Sequence, residues 1–384
     1  MRILLAHSFY RVAGGEDRYV LTQLELLRAR HRVEVLARRN QDLPGGLRTA
    51  ATMTWSPTLT RQVAAELRRF GPDVVHLHNA YPALGPAVHL AAERHGTPLV
   101  MTVHNLRLRC PNGVQFTQGA SCRRCEDGAY ANAVLRGCFP ARAQSVAYAT
   151  SLWAHRFVLR LQQRVALFLV PSLFLRRRLL DWGLPEDRIT LVRNFTELPS
   201  GASPEVGDAG LYLGRLSFEK GLPQLLRALC QAGDPPFQIA GDGPLEAALR
   251  RLAAGLGLRR VRFLGRLDYA QATRLLAASR YLALPSIWDE NAPLAALEAL
   301  AAGRPLLLSR VGGLPELVCE QTGLLCAPGD VAGLAANLSR LAADDQLCRS
   351  MGATAIDFAR REFSPERHLQ RLEAAYQAAR ERQG

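Results

Sequence analysis

The chain of 384 residues contains a single lysine. Of its 48 basic residues 47 are arginine, and the exception stands at position 220. Arginine presents a planar fork, whereas lysine presents a compact ammonium on a flexible stem. A chain so biased that keeps one lysine either needs a point charge there or has kept it by chance. Long apolar runs are missing too. No stretch reaches the roughly 18 residues that read as a membrane-crossing helix. The N-terminal run in MRILLAHSFYRVAGGED is interrupted by charge too early for a secretory leader. These absences predict a cytoplasmic chain, at most peripheral on the inner face of the cytoplasmic membrane.

Hydrophobic residues make up 48% of the sequence, enough to fill two cores. A chain this long is expected to split into two domains of about 190 residues each. The formal net charge is +14, and all of it lies in the first half. Residues 1–195 hold 27 Arg against 13 Asp and Glu, while 196–384 hold 21 basic and 21 acidic residues. A basic half beside a neutral one points to an acidic partner such as anionic lipid, or to an Arg-rich solvated face.

Eight cysteines are present. Cys230, Cys319, Cys326 and Cys348 are scattered, like small buried apolar residues in a reducing compartment. Cys110, Cys122, Cys125 and Cys138 crowd into an irregular segment, 107–140, with spacing C-x11-C-x2-C-x12-C. Four thiolates suit tetrahedral zinc, which would pin a loop that has little apolar matter of its own. A metal knuckle usually has two C-x2-C pairs and this segment has one, so free thiols or disulfides stay open beside structural zinc.

Along the chain, apolar runs alternate with helical stretches. Arg2–Ala6, Arg32–Ala37, Asp73–His78 and Pro98–His104 read as strands. So do Gly210–Gly214, Phe237–Ala240, Val261–Leu264, Tyr281–Leu284 and Pro305–Ser309. Near-continuous apolar strands separated by helices predict parallel sheets covered on both faces, with ligands beyond the carboxyl ends of the strands. His76, His78, Asn79 and His104 fall at such ends. Gly14 and Gly15 open the first helix, where bare backbone lets a ligand approach. Gln144–Leu169 reads as one helix carrying Trp153, Phe157 and Leu161 beside Arg156, Arg160 and Arg164. Its two readings are an anionic membrane surface and ordinary packing with a charged outer face. Residues 196–209, dense in Pro, Gly, Ser and Asp, read as the linker between domains 1–195 and 210–363. The stretch 364–384 reads as a helix returning to the first domain.

Chemistry concentrates in the second half. In LPSIWDENAPLAALEALAAGRP, Pro293 suits the first turn of a helix. Glu290 then stands just before that helix and Glu298 about one and a half turns inside it. A carboxylate near a helix start can accept ribose hydroxyls, and the backbone N–H groups there favour phosphate; the other reading is an amphipathic helix with a solvated glutamate. Arg215 and Lys220 follow the strand Gly210–Gly214, where two cations suit a diphosphate. Gly312 and Gly313 offer further N–H groups to a phosphate, or form an ordinary turn.

Taken together, these residues resemble the retaining glycosyltransferases of family 4. The motifs are Gly14-Gly15, DVVHLHN at 73–79, TVH at 102–104, VPS at 170–172, GRLSFEKG at 214–221, GDGP at 241–244, E-x7-E at 290–298 and GGLPE at 312–316. Their order and spacing cover nearly the whole chain. The resemblance implies the α/β GT-B fold, two Rossmann-like doubly wound domains facing across a cleft. It also implies a nucleotide-sugar donor (a UDP- or GDP-sugar) and a saccharide or lipid-linked acceptor. By the same resemblance Arg215 and Lys220 hold the diphosphate, Glu298 the ribose, and Glu290 the transferred sugar. The amides of Asn291, Ala292, Pro293 and Leu294 (less the missing N–H of proline) and the Gly15 loop complete those contacts. His104 lies near the reacting sugar, and Arg266 and Leu267 meet the base. No metal is needed for catalysis, because the cations replace it.

Two departures stand out. Many relatives have Gly-aromatic-Gly where this chain has Asn291-Ala292-Pro293, and the cysteine segment is outside the common family core. Competing readings are a nucleotide-sugar epimerase or a phosphorylase on the same fold, and a non-catalytic Arg-rich binder of membrane or nucleic acid. The donor-site series argues against nucleic acid as the partner.

Overall fold

The computed structural model describes residues 1–12, 14–198, 206–318 and 321–382. It divides into two units. One holds Met1–Gln118, Cys122–Arg193 and the chain from His368 on; the other holds Gly119–Ser121 and Asn194–Arg367.

The first unit is organised on six strands in the order Arg32–Arg39, Arg2–Phe9, Val74–Leu77, Leu99–Thr102, Leu167–Val170, Ile189–Leu191, every neighbouring pair parallel. Helices cover both faces of such a sheet, so its strands are apolar along their length rather than alternating. Ile3–Ala6, Val74–Leu77 and Leu167–Val170 are accordingly buried throughout. The chain steps from its first strand out to one edge, then reverses to the far side. The reversal falls between Arg2–Phe9 and Val74–Leu77, and in open parallel sheets ligands bind beyond the strand ends at that point.

The second unit repeats the plan, with the order Val261–Gly265, Phe237–Ala240, Gly210–Leu213, Tyr281–Leu284, Leu306–Ser309, Gly323–Cys326. Its reversal falls between Gly210–Leu213 and Tyr281–Leu284. Helix Leu222–Gln231 places Leu222, Leu225, Leu226 and Leu229 on one stripe, all with no exposed surface. Each such leucine contributes about 1.5–3 kcal/mol by leaving water.

Several expectations change. The single helix expected over Gln144–Leu169 is an α-helix Arg142–Trp153, a π turn Ala154–Val158, a 3-10 turn Leu161–Arg164 and then the strand Leu167–Val170. A short apolar run such as ALFLV fits a buried strand as well as a helix by periodicity, and here two strand neighbours take up its backbone groups. Pro293 is the residue before helix Leu294–Ala301, with ψ 128, not part of its first turn. Of the expected linker, 199–205 lies outside the described residues. Thr196 already donates its N–H to the Phe363 carbonyl at 3.0 Å inside the second unit.

The last helix, Pro365–Glu381, changes unit along its length. From His368 on it is tied into the first unit: Tyr376 Oη stands 2.7 Å from His76 Nδ1, and Glu373 Oε1 stands 2.8 Å from His31 Nε2. No helix among the described residues is long and apolar enough to cross a membrane.

The cysteine segment is braced by charge. Arg178, only 4% exposed, pairs with Glu126 and donates to Gln115 Oε1 at 2.8 Å, while Gln115 Nε2 donates to Glu126 Oε1 at 2.7 Å. Removing one partner of a buried pair strands the other charge. Glu126→Ala is therefore expected to cost about 3 kcal/mol in urea denaturation, and Arg178→Met distinctly less, because the Glu126 carboxylate it leaves behind is more exposed than Arg178 and keeps the Gln115 amide.

Candidate functional site

The polar loops of the second unit meet at its reversal point because Gly210–Leu213 and Tyr281–Leu284 are adjacent parallel strands. The loop after the first carries Arg215 and Lys220, and the loop after the second carries Glu290. The Lys220 ammonium pairs with Glu290 Oε1 across 70 residues of chain. It also lies 5.0 Å from the centre of the Trp288 ring. Ser286 Oγ donates to the same carboxylate oxygen at 2.8 Å, and Glu290 is only 7% exposed. This cation and carboxylate are thus held in one orientation at the tip of the sheet.

Backbone contacts set the two loops against each other. Ile287 donates its N–H to the Glu219 carbonyl at 2.9 Å. Gly221 has φ +71, and a Cβ there would lie 1.9 Å from the Pro285 carbonyl oxygen, so glycine is required on both counts. The neighbouring strand end joins in: Leu216 donates to the Asp242 carbonyl at 2.8 Å, and Arg266 stands 3.9 Å from Asp242 Oδ2. The Arg215 side chain is exposed, while its carbonyl accepts from the buried Tyr212 hydroxyl at 2.7 Å. Burial, then Glu290 and Glu219, push the Tyr212 phenol well up, so it stays a neutral donor.

Glu298 lies half-buried in helix Leu294–Ala301, which begins just past the Glu290 loop. Asn194 Nδ2 fastens that loop by donating to the Ala292 carbonyl at 3.0 Å. The Gly313 N–H, expected to face a phosphate, is instead donated to the Glu290 carbonyl at 2.7 Å. A Cβ on Gly312 would lie 2.0 Å from that same oxygen, at φ +55. This glycine pair therefore supports Glu290 from behind. Leu267 packs on the core of the second unit.

In the first unit Gly14 precedes helix Gly15–Arg28, and a Cβ added there would meet nothing within 4 Å. The positive end of this helix is already met by Glu16 and Asp17 in its first turn. Asp17 Oδ1 stands 2.8 Å from His7 Nε2. His104 Nε2 stands 2.9 Å from His78 Nδ1 with the rings stacked, and His76 lies against His78 at 4.2 Å between ring centres. Burial is the main cause that lowers the pKa of His76 and of His104 to about 3, so both are neutral imidazoles at pH 7.

Two family models match the chain: one described as Glycosyltransferase Family 4 over residues 13–198, and one described as Glycosyl transferases group 1 over 199–358. The chain belongs to glycosyltransferase family 4. It is similar to glycogen synthase of Mycobacterium tuberculosis, 41% identical over 165 residues, a match spanning 40% of this chain and 39% of the relative. It is also similar to 2-deoxystreptamine glucosyltransferase of Streptomyces kanamyceticus, 29% identical over 346 residues, spanning 84% of this chain and 79% of the relative. Among solved structures it resembles Anabaena HepE in complex with UDP, with TM-score 0.70 and 19% identity over 98% of this chain and 100% of that one. Sucrose-phosphate synthase from Thermosynechococcus elongatus gives TM-score 0.69 and 21% identity over 98% of each chain. At these identities the solved structures show the fold, which is GT-B.

This family 4 chain carries its four clustered cysteines as free thiols lining one small pocket of about 320 Å³. Burial raises the Cys110, Cys125 and Cys138 thiols, Cys125 to about 12. The Cys110 thiol donates to Asn112 Oδ1 at 2.8 Å. Among the described residues no three His, Cys, Asp or Glu side chains are arranged to hold a metal ion. The ligand arrangement expected from the cysteine spacing to hold zinc is therefore not found among the described residues.

Sequence reasoning missed Ser286 and Trp288, which position Lys220 and Glu290. Both stand in the short stretch between a strand end and Glu290, and that adjacency was the available signal. It also missed His89, His155 and Tyr81, which only the packing of the first unit brings together.

Proposed function

We propose that the chain transfers a sugar from a nucleotide-sugar donor, a UDP- or GDP-sugar, to a saccharide or lipid-linked acceptor with retention of anomeric configuration. Synthesis of cell-surface polysaccharide or glycolipid at the cytoplasmic face of a membrane would use such an enzyme. The observation that carries the reading is the Lys220–Glu290 pair, held by Ser286 and Trp288 at the reversal point of the second sheet.

When the glycosidic bond to the diphosphate breaks, negative charge grows on the departing phosphate oxygens. Lys220 and the exposed Arg215 offset it without a metal, and fixed donors aimed at developing charge are worth a few kcal/mol each. Glu290 faces the transferred sugar, and its pairing with Lys220 keeps both side chains oriented before donor arrives. Glu298 accepts the ribose hydroxyls. The free amides among Asn291, Ala292 and Leu294 contact phosphate and sugar, while Arg266 and Leu267 lie toward the base. The leaving diphosphate helps to deprotonate the acceptor on the same face, which gives retention. His104, neutral, hydrogen-bonds a sugar hydroxyl.

The UDP complex of HepE supports a nucleotide donor on this fold. Screening nucleotide sugars by thermal shift tests the reading. The true donor at 100 times its Kd should stabilise by about 2.7 kcal/mol, and NMR of the product should show the anomeric configuration of the donor. An inverted product contradicts the retaining course, and a flat screen contradicts the donor site.

A further inference from the structure

One large pocket lies wholly inside the first unit and, His104 apart, is not used by the donor chemistry above. It spans about 690 Å³ with the open solvent at its mouth included, and opens beyond the strands that end at Leu77 and Thr102. Part of its lining is apolar: Leu108, Leu152, Leu161, Val165 and Phe168. The rest carries His78, His89, His104, His155, Arg107 and Arg156, and no Asp or Glu is among its described lining residues.

Three buried polar atoms of this lining have no hydrogen-bond partner: His78 Nε2, His89 Nδ1 and Arg107 Nε. His78 and His89 are 3% and 4% exposed. Buried polar atoms are normally paired, so three orphans around one void mark a place where a ligand completes the bonding. Arg107 donates to the Pro111 carbonyl at 2.9 Å and lies over the Tyr81 and Tyr148 rings, and Arg156 donates to the Glu126 carbonyl at 2.6 Å.

The segment behind the apolar lining also faces outward. Leu152, His155, Arg156 and Leu161 line the pocket, while Trp153, Phe157 and Val158 of the same segment are 50%, 45% and 61% exposed. Apolar surface thus lies both inside the pocket and on the outside of one short stretch, with Arg160 exposed beside it. A saccharide alone would leave the aliphatic lining wet and Arg156, which meets only the Glu126 carbonyl, the Tyr130 hydroxyl and the Phe157 ring, without an anion.

We infer that this pocket takes the acceptor, and that the acceptor is an amphiphile: an apolar chain against Leu152, Leu161, Val165 and Phe168, with a phosphate ester at Arg107 and Arg156. The inference rests on the glycosyltransferase reading and specifies its acceptor class. The phosphate ester comes either from a lipid held in a bilayer or from a soluble ester of an apolar alcohol.

Isothermal titration of the full chain without nucleotide, using farnesyl phosphate, farnesol and inorganic phosphate, tests it. Farnesyl phosphate should bind at least tenfold more tightly than either of the others. Val165→Phe, or Leu161→Phe should the first variant fail to fold, should weaken farnesyl phosphate and farnesol alike by at least tenfold. Arg156→Gln should weaken only the ester. Equal binding of ester and alcohol, or an ester affinity unmoved by the filling variants, overturns the proposal. UDP titration of the wild-type chain separates the two readings: UDP bound with no ester bound sinks the acceptor class and leaves the donor site standing, whereas the filling variants should keep UDP binding. Flotation with vesicles carrying undecaprenyl phosphate, and not with neutral vesicles, assigns the lipid source; ester binding without flotation assigns the soluble one.

Discussion

Lys220→Ala is expected to lower kcat/KM for the nucleotide-sugar donor by about 10²–10³-fold, with most of the loss in kcat. The ammonium acts on charge that develops only as the bond to diphosphate breaks, so its removal raises the barrier more than it weakens ground-state binding. A second effect adds to the first. Glu290 is 7% exposed, and without Lys220 its carboxylate keeps only the Ser286 hydroxyl at 2.8 Å among its described partners. Lys220→Arg should also lose most activity, since a planar fork replaces a compact ammonium stacked 5.0 Å from the Trp288 ring centre. Steady-state kinetics with the true donor measure both variants, and melting curves confirm that they fold. Wild-type turnover in Lys220→Ala would remove this lysine from the chemistry.

The second large effect is loss of stability in acid, confined to the first unit. Burial lowers His76 and His89 to about 3 and His368 to about 4, from an unfolded value near 6.5. The folded unit holds these rings neutral, and the unfolded chain takes up protons as pH falls through 6.5. Stability is therefore full above pH 6.5 and declines toward the folded values, by up to about 1.4 kcal/mol per pH unit for each histidine. At pH 5 the three together cost on the order of 5 kcal/mol, comparable with the net stability of a whole domain. Three of the four tryptophans, Trp55, Trp153 and Trp182, stand in this unit, so fluorescence reports mainly on it. The urea midpoint should drop sharply between pH 7.5 and pH 5, and His89→Leu should flatten the slope by about one proton. A midpoint independent of pH would show that these rings are not held neutral.

Some of this architecture is legible in the sequence and some is not. Phe237–Ala240 and Tyr281–Leu284 stand where the apolar runs place them, because glycine or proline bounds each run and the strands are buried on both faces. Leu167–Val170 escaped because a short apolar run following a helical pattern reads as more helix. Its strand character comes from neighbours far away in sequence. The rarity of lysine singled out Lys220, and spacing singled out Glu290. Their pairing depends on two strands 70 residues apart lying side by side, which is topology rather than pattern. Gly312 and Gly313 look like a phosphate loop in one dimension; in three they lie under the Glu290 carbonyl. The histidines of the first unit were visible at strand ends, but not their stacking, nor the return of Tyr376 from the last helix onto His76.

The chemistry proposed here requires the loops at the reversal point of the second sheet to hold the diphosphate and ribose of a nucleotide sugar. A crystal structure with the nucleoside diphosphate of the donor found by thermal shift decides this. Phosphate oxygens are expected within hydrogen-bond distance of Lys220 Nζ and the Arg215 guanidinium, and ribose hydroxyls on the Glu298 carboxylate. A nucleotide bound elsewhere, with Lys220 still paired only to Glu290 and Glu298 untouched, would contradict it.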